Sequence, residues 1–169
     1  MPRATGSVRV LTFKDGLLSR MAHDLRLAFD VFSVAVDGER VSAAFELDSL
    51  RVEGAMRDGA LDQGSLEPAQ RQEIERAARE DVLGTRRHPR ARFEGTAIAS
   101  GGHAAVRGEL ELAGRRALVA FDAEETDGVY RARFPLTPSQ FGIAPYKALL
   151  GAIRLRDRLE IELELRLEA

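Results

Sequence analysis

Residues 156–169 read RDRLEIELELRLEA. Leu159, Ile161, Leu163, Leu165 and Leu167 occupy every second position, and Glu160, Glu162, Glu164, Arg166 and Glu168 fill the gaps. Leucine and glutamate both favour helix, so local propensity points that way. A spacing of two, however, scatters the leucines around a helix and leaves it no apolar face. On a strand the same spacing puts all five on one side. Chain ends usually fray, so a half-buried strand here needs a neighbour to hold it.

Working outward, period-two segments recur. Val8 to Phe13 reads as a first strand. In HDLRLAFDVFSVAVDGERVSAAFELDSL, Leu25, Leu27, Phe29 and Val31 alternate, and then the phase slips so that Phe32, Val34 and Val36 carry the pattern. Such a slip predicts a bulge or sharp coil in a long strand, the usual device for bending a sheet toward a barrel. Asp37-Gly38 predicts the turn, with Val41, Ala43, Phe45 and Leu47 returning on one face. RARFEGTAI, AAVRGELELAG, RRALVAFDAEE and VYRARFPL follow in the same style. With the tail, about eight strands emerge, the number at which a closed sheet holds one small ligand.

One segment departs from this. LEPAQRQEIERAAREDVLG has Pro68 in the first turn, Gly84 at the stop, and Ile74, Ala77, Ala78 and Val82 on a narrow stripe. The spacing predicts one amphipathic helix over about 67–83, whose thin alanine stripe suits a cap over a barrel end. The glycine-spaced EGAMRDGALDQGS before it reads as a mobile loop.

A barrel removes the open edges that would invite aggregation. The fold expected is therefore all-β: one antiparallel, roughly eight-stranded lipocalin-like barrel with one capping helix, occupying 1–169 as a single domain. Its last strand pairs with its first, leucines inward and glutamates toward water. A two-layer sandwich accounts for the alternation almost as well.

RRHPRARFEGTAI, then VRGELELAGRRALVAFD, then FPLTPSQFGI and the closing strand resemble, in that order, the YceI family of lipocalin-like barrels. The matching positions are His88, Pro89 and Phe93 entering one strand, and Gly108, Leu110, Leu112 and Gly114 in a hairpin. Phe141 and Gly142 precede the last strand, and FKDGLLSRMAHDL, with His23, is similar to the family's N-terminal region. The resemblance implies a barrel that accommodates an isoprenoid or other lipid-like chain for carriage, storage or sensing, without catalysis. It also leaves room for a homodimer. Two departures stand out: many members are exported, whereas MPRATGSVRV has no signal-peptide character, and region 57–87 is longer and more charged than the family pattern.

Composition excludes several classes. At 169 residues, 44% of them hydrophobic, the chain can build a real core. A formal net charge of −2 argues against nucleic acid as a partner. No stretch is long enough to span a bilayer as a helix; with no signal-peptide character at the start, a cytoplasmic location is expected, or a periplasmic or secreted one if a leader was removed. Without cysteine there is no disulfide, thiolate nucleophile or thiolate metal site. His23, His88 and His103 share no metal-ligand spacing, and no metal or cofactor is expected.

The candidate ligand-binding residues fall in three groups. FKDGLLSRMAHDL supplies Phe13, Leu17, Leu18, Met21 and His23. SQFGIAPYKALLGAIRL supplies Phe141, Ile143, Tyr146, Leu149 and Leu150, an apolar run broken by glycine and proline that cannot be a regular strand. It suits a rim at the barrel mouth. Phe29, Phe45, Phe93 and Phe134 complete the apolar set. Inward alanines, expected at 28, 35, 43, 91, 97, 117 and 132, leave room in the lumen. The alternatives are a barrel filled by its own side chains, acting as a structural or interaction module, and an enzyme using His23. Arg86, Arg87, Arg90 and Arg92 read as the solvated face of a strand, with an anion or membrane surface as the sharper option.

Overall fold

The computed structural model describes residues 2–15, 23–148 and 153–168. The strands are β1 (Arg3–Asp15), β2 (Asp24–Phe29), β3 (Phe32–Asp37), β4 (Arg40–Glu46), β5 (Leu50–Arg57) and β6 (Ala60–Asp62). After helix α1 (Pro68–Ala77) come β7 (Arg90–Ser100), β8 (His103–Leu112), β9 (Arg115–Thr126), β10 (Val129–Leu136), β11 (Lys147–Ala148) and β12 (Ile153–Glu168).

Eight strands close on themselves in the order β1, β3, β4, β7, β8, β9, β10, β12, with β12 returning to β1. The closing seam is long: β1 and β12 pair antiparallel from Arg3↔Glu168 to Asp15↔Arg154. On its other edge β12 pairs with β10, from Val129↔Arg166 to Leu136↔Leu159. The terminal strand is thus held on both sides, which is why its alternation survives so close to the chain end.

The phase slip has a structural counterpart. β2 and β3 run as one bent strand interrupted at Asp30 and Val31, and Val31 is turned outward, 55% exposed. Before the bend β2 pairs with β1 and β5; after it β3 pairs with β4 and only grazes β1 at Arg3↔Ala35. The β3–β4 turn sits one residue later than expected, at Gly38 and Glu39, with Gly38 at φ +61°. Asp58-Gly59, Gly101-Gly102, Ala113-Gly114 and Asp127-Gly128 form two-residue hairpin loops with both φ values positive, the arrangement that follows strand twist.

The glycine-spaced region expected to be a loop is instead a hairpin, β5 and β6. Its Asp-Gly pair is a turn signal, and its apolar content is enough to pair with β2. Helix α1 forms as expected, with Gln70 Oε1 accepting from the Glu67 N–H at 2.8 Å. It continues as a wider turn over Ala78–Leu83 and stops at Gly84, φ +59°. Two of its side chains satisfy the otherwise open edge of β5: Glu75 Oε1 accepts from the Val52 N–H at 2.9 Å, and Arg79 Nη2 donates to the Leu50 carbonyl at 2.7 Å.

Beneath that helix lies a packed core. Val10, Leu25, Leu27, Leu50, Val52, Ala55 and Leu66 are buried together, with Ile74, Ala78 and Leu83 packed on them. At about 1.5–3 kcal/mol per buried large aliphatic side chain, this cluster is a main source of stability. Phe93, Val106 and Val119 form a second buried cluster, and Ala104, Ala123 and Ala132 a third. No described helix is long and apolar enough to cross a membrane.

Candidate functional site

Each barrel strand sends alternate residues inward, and at one end many of these are alanine. Ala99, Ala104 and Ala123 form a row in register across β7, β8 and β9. With Ala4, Ala97 and Ala132 they line a chamber of about 400 Å³. All five apolar residues of the closing strand, Leu159 through Leu167, lie on its wall. Phe29, Phe45, Phe93 and Phe134 are there too, the Phe29 and Phe45 rings 5.5 Å apart and tilted by 50°. Among the described residues lining this chamber, Tyr130 alone carries a polar side-chain atom. A space lined in this way offers water few hydrogen-bond partners and suits hydrocarbon.

A second chamber, of about 590 Å³, adjoins it at the end covered by α1. Val10, Leu50, Leu83, Leu112, Leu136 and Leu159 line both, so the two chambers share an apolar wall. The helix contributes Ala69, Ile74, Ala77 and Ala78, whose small size lets it lie close. Pro138, Phe141, Ile143, Pro145 and Tyr146 form the opposite wall. Phe141 is 1% exposed and Ile143 6%. Polar side chains are more numerous on this chamber than on the first: Thr12, His23, Gln70, Glu73, Tyr146, Arg156 and Arg158. The Thr12 hydroxyl is buried without a hydrogen-bond partner.

The expected site residues therefore divide. Phe29, Phe45, Phe93 and Phe134 stand on the first chamber, and His23, Phe141, Ile143 and Tyr146 on the second. Phe13 is half-buried on β1 and belongs to neither wall. Leu17, Leu18, Met21, Leu149 and Leu150 lie outside the described residues. Of the expected inward alanines, 43, 91, 97 and 132 line the lumen, whereas Ala28, Ala35 and Ala117 do not. Ala35 falls between the inward Val34 and Val36, so the slip that turns β3 also turns Ala35 outward. The run 139–155 also pairs more than expected: Lys147–Ala148 bonds to Ile153–Arg154, and Leu155 already belongs to β12.

Sequence reasoning missed Ala99, Ala104 and Ala123, whose alternation is legible but whose alignment depends on register. It also missed Thr12, Arg156 and Arg158, which sit beside an irregularity in the β1–β12 ladder.

The remaining polar candidates are dispersed. His88 packs over Gly114, where an added Cβ would lie 2.8 Å from its Cε1. His103 is exposed at the start of β8. Arg86, Arg87, Arg90 and Arg92 are exposed, and Arg90 pairs with Glu46 at 2.6 Å. Ser139 gives its N–H to Asp157 at 2.9 Å and its hydroxyl to the same carboxylate. Among the described residues no three His, Asp or Glu side chains stand close enough to share a metal ion.

Comparison with known proteins bears on the whole barrel. A family model described as the YceI-like domain matches residues 11–167. No curated protein sequence matches the chain. The fold is similar to that of BcnA from Burkholderia cenocepacia, at 17% identity and a TM-score of 0.64, with 96% of each chain covered. It is similar to a polyisoprenoid binding domain from Saccharophagus degradans implicated in plant cell wall breakdown, at 10% identity and a TM-score of 0.63, covering 96% of this chain and 93% of that one. A Campylobacter jejuni YCEI protein aligns at 15% identity and a TM-score of 0.60, covering 85% and 84%. At these identities the likeness is one of fold.

Proposed function

This chain belongs to the YceI-like domain family, and from that premise we propose that it binds the hydrocarbon chain of an isoprenoid or similar lipid-like molecule inside the barrel, without catalysis. The observation that carries the reading is the pair of adjoining apolar chambers, which share a wall and of which the first carries one polar side-chain atom. Burying each methylene there contributes about 0.8 kcal/mol, so affinity grows with chain length. The similarity to a polyisoprenoid binding domain supports the same class of ligand. A barrel filled by its own side chains fits poorly with chambers of about 400 and about 590 Å³.

Native mass spectrometry of gently purified protein tests this. The expected result is added mass that solvent extraction removes and identifies as an elongated apolar molecule. A clean unliganded mass, persisting after incubation with isoprenoid alcohols and fatty acids of several lengths, overturns the reading.

A further inference from the structure

Between β9 and β10 the barrel wall changes character. Strands β8 and β9 match without a break from His103↔Glu124 to Leu112↔Arg115, and β10 matches β12 along its whole length. The β9–β10 ladder, by contrast, ends after Val129, Tyr130 and Arg131, which stand opposite Thr126, Glu125 and Glu124. Both strands run on past that point, β9 back to Arg115 and β10 forward to Leu136.

The sequence supplies a reason. A two-residue loop at Asp127-Gly128 joins the strands, and the pair that closes such a loop, Thr126 with Val129, exchanges both of its hydrogen bonds. Counting in twos from Val129, the backbone nitrogens of residues 131, 133 and 135 face β9. Residue 135 is proline and has no N–H to give. Proline within a sheet belongs to an edge, with the missing donor turned away from any partner. Here that edge faces another strand of the same barrel. The missing donor also discourages a foreign strand from pairing there.

Both faces of this seam are apolar. Outside, Leu118 is 85% exposed, and Ala120 and Pro135, opposite each other in the continued register, are exposed beside it. Inside, Val119, Phe121, Phe134 and Leu136 line the first chamber. The stacked Phe121 and Phe134 rings span the seam, and a ring pair parts by rotation about side-chain bonds without breaking a backbone ladder. We infer that the β9–β10 seam is a lateral portal, through which a hydrocarbon chain passes between the outside and the first chamber without threading the second. The inference rests on the chain-binding reading and adds the route.

The test follows rates on the full chain with cis-parinaric acid, a fatty acid that fluoresces in apolar surroundings. The chain has no cysteine, so an introduced pair reacts alone. Asp122→Cys with Arg133→Cys places two thiols on the outer face, at the first outward pair beyond the matched ladder. Dibromomaleimide bridges them, and excess thiol removes the bridge. Bridging is expected to slow uptake and release together by about tenfold or more, with Kd unchanged, because a portal sets the barrier and not the bound state. The same bridge in Ala105→Cys with Asp122→Cys, across the continuous β8–β9 ladder, leaves both rates alone. Amide exchange reads the parent protein directly: Leu118, Ala120 and Asp122, whose N–H groups face the seam, exchange faster than Val119 and Phe121, whose N–H groups face β8. Equal protection of the two series, unchanged rates with the seam bridged, or equal slowing by the control bridge overturns the portal and leaves chain binding standing. No uptake by the parent overturns chain binding itself, and the portal with it.

Discussion

The rings of Phe121 and Phe134 lie face to face, centroids 4.1 Å apart and planes within 2°. They sit on neighbouring strands at a special place. The β9–β10 ladder matches Val129, Tyr130 and Arg131 with Thr126, Glu125 and Glu124. Continuing that register sets Phe134 opposite Phe121, so the stacked pair bridges the seam just where the matched ladder stops. Both rings also line the first chamber.

Phe134→Ala removes that bridge. A buried phenylalanine costs about 3–5 kcal/mol on truncation. This ring already faces open lumen on one side, so the expected loss lies near ~3 kcal/mol, read from urea unfolding. Amide exchange along β9 and β10 should accelerate while the β8–β9 ladder stays protected. Uniform acceleration of all strands would contradict a local role for the pair.

The alanine row sets how deep a chain can go. Ala123 is 6% exposed and stands beside Ala104 on the chamber wall. Ala123→Leu should shorten the longest chain the barrel accepts. Each methylene excluded costs about 0.8 kcal/mol, roughly fourfold in affinity. Calorimetry with fatty acids of increasing length should show the affinity plateau arriving earlier in the variant.

Gly95 and Gly108 face each other across β7 and β8. A Cβ built on Gly108 would lie 2.4 Å from the Glu94 carbonyl oxygen and 2.6 Å from Phe93 Cζ. Gly108→Ala is therefore expected to cost more than ~2 kcal/mol, since rigid backbone must move. Gly38, with nothing within 4 Å, is the control. Gly38→Asn, which tolerates a positive φ, should cost under ~1 kcal/mol in the same urea titration.

Glu160 links stability to pH. Burial raises its carboxyl, but the hydrogen bonds and charges of Arg133 and Arg158 outweigh that and hold it below the ordinary value of 4.5. A carboxyl depressed in the folded state contributes stability that is fully present above its unfolded value and is lost as pH falls through the folded one. The melting temperature of the parent protein should fall between about pH 5 and pH 3 more steeply than that of Glu160→Gln. Parallel curves would remove Glu160 from the account.

Much of this was legible beforehand because it is local. The Leu159–Leu167 alternation, the β2–β3 phase slip, and the Pro68 and Gly84 helix boundaries each follow from a few neighbouring residues. The β5–β6 hairpin was misread because its spaced glycines outweighed the Asp58-Gly59 turn signal. The apolar run 139–155 reads as a rim at the barrel mouth; Phe141, Ile143 and Tyr146 of that run line the second chamber, as does His23.

By itself, then, the sequence determined the apolar alternation along most of the strands, the slip between β2 and β3, and the helix start at Pro68 and stop at Gly84. Those are properties of one strand or one turn, written in spacing and backbone preference. Only the tertiary structure decided what the apolar faces enclose. The alignment of Ala99, Ala104 and Ala123 requires three strands in a particular register. The irregularity between Thr12 and Lys14 requires β12 to carry more residues than β1 over the same length. Register and bulges belong to pairs of strands distant in sequence, and the free volume of a barrel is set by how those pairs add up around its circumference.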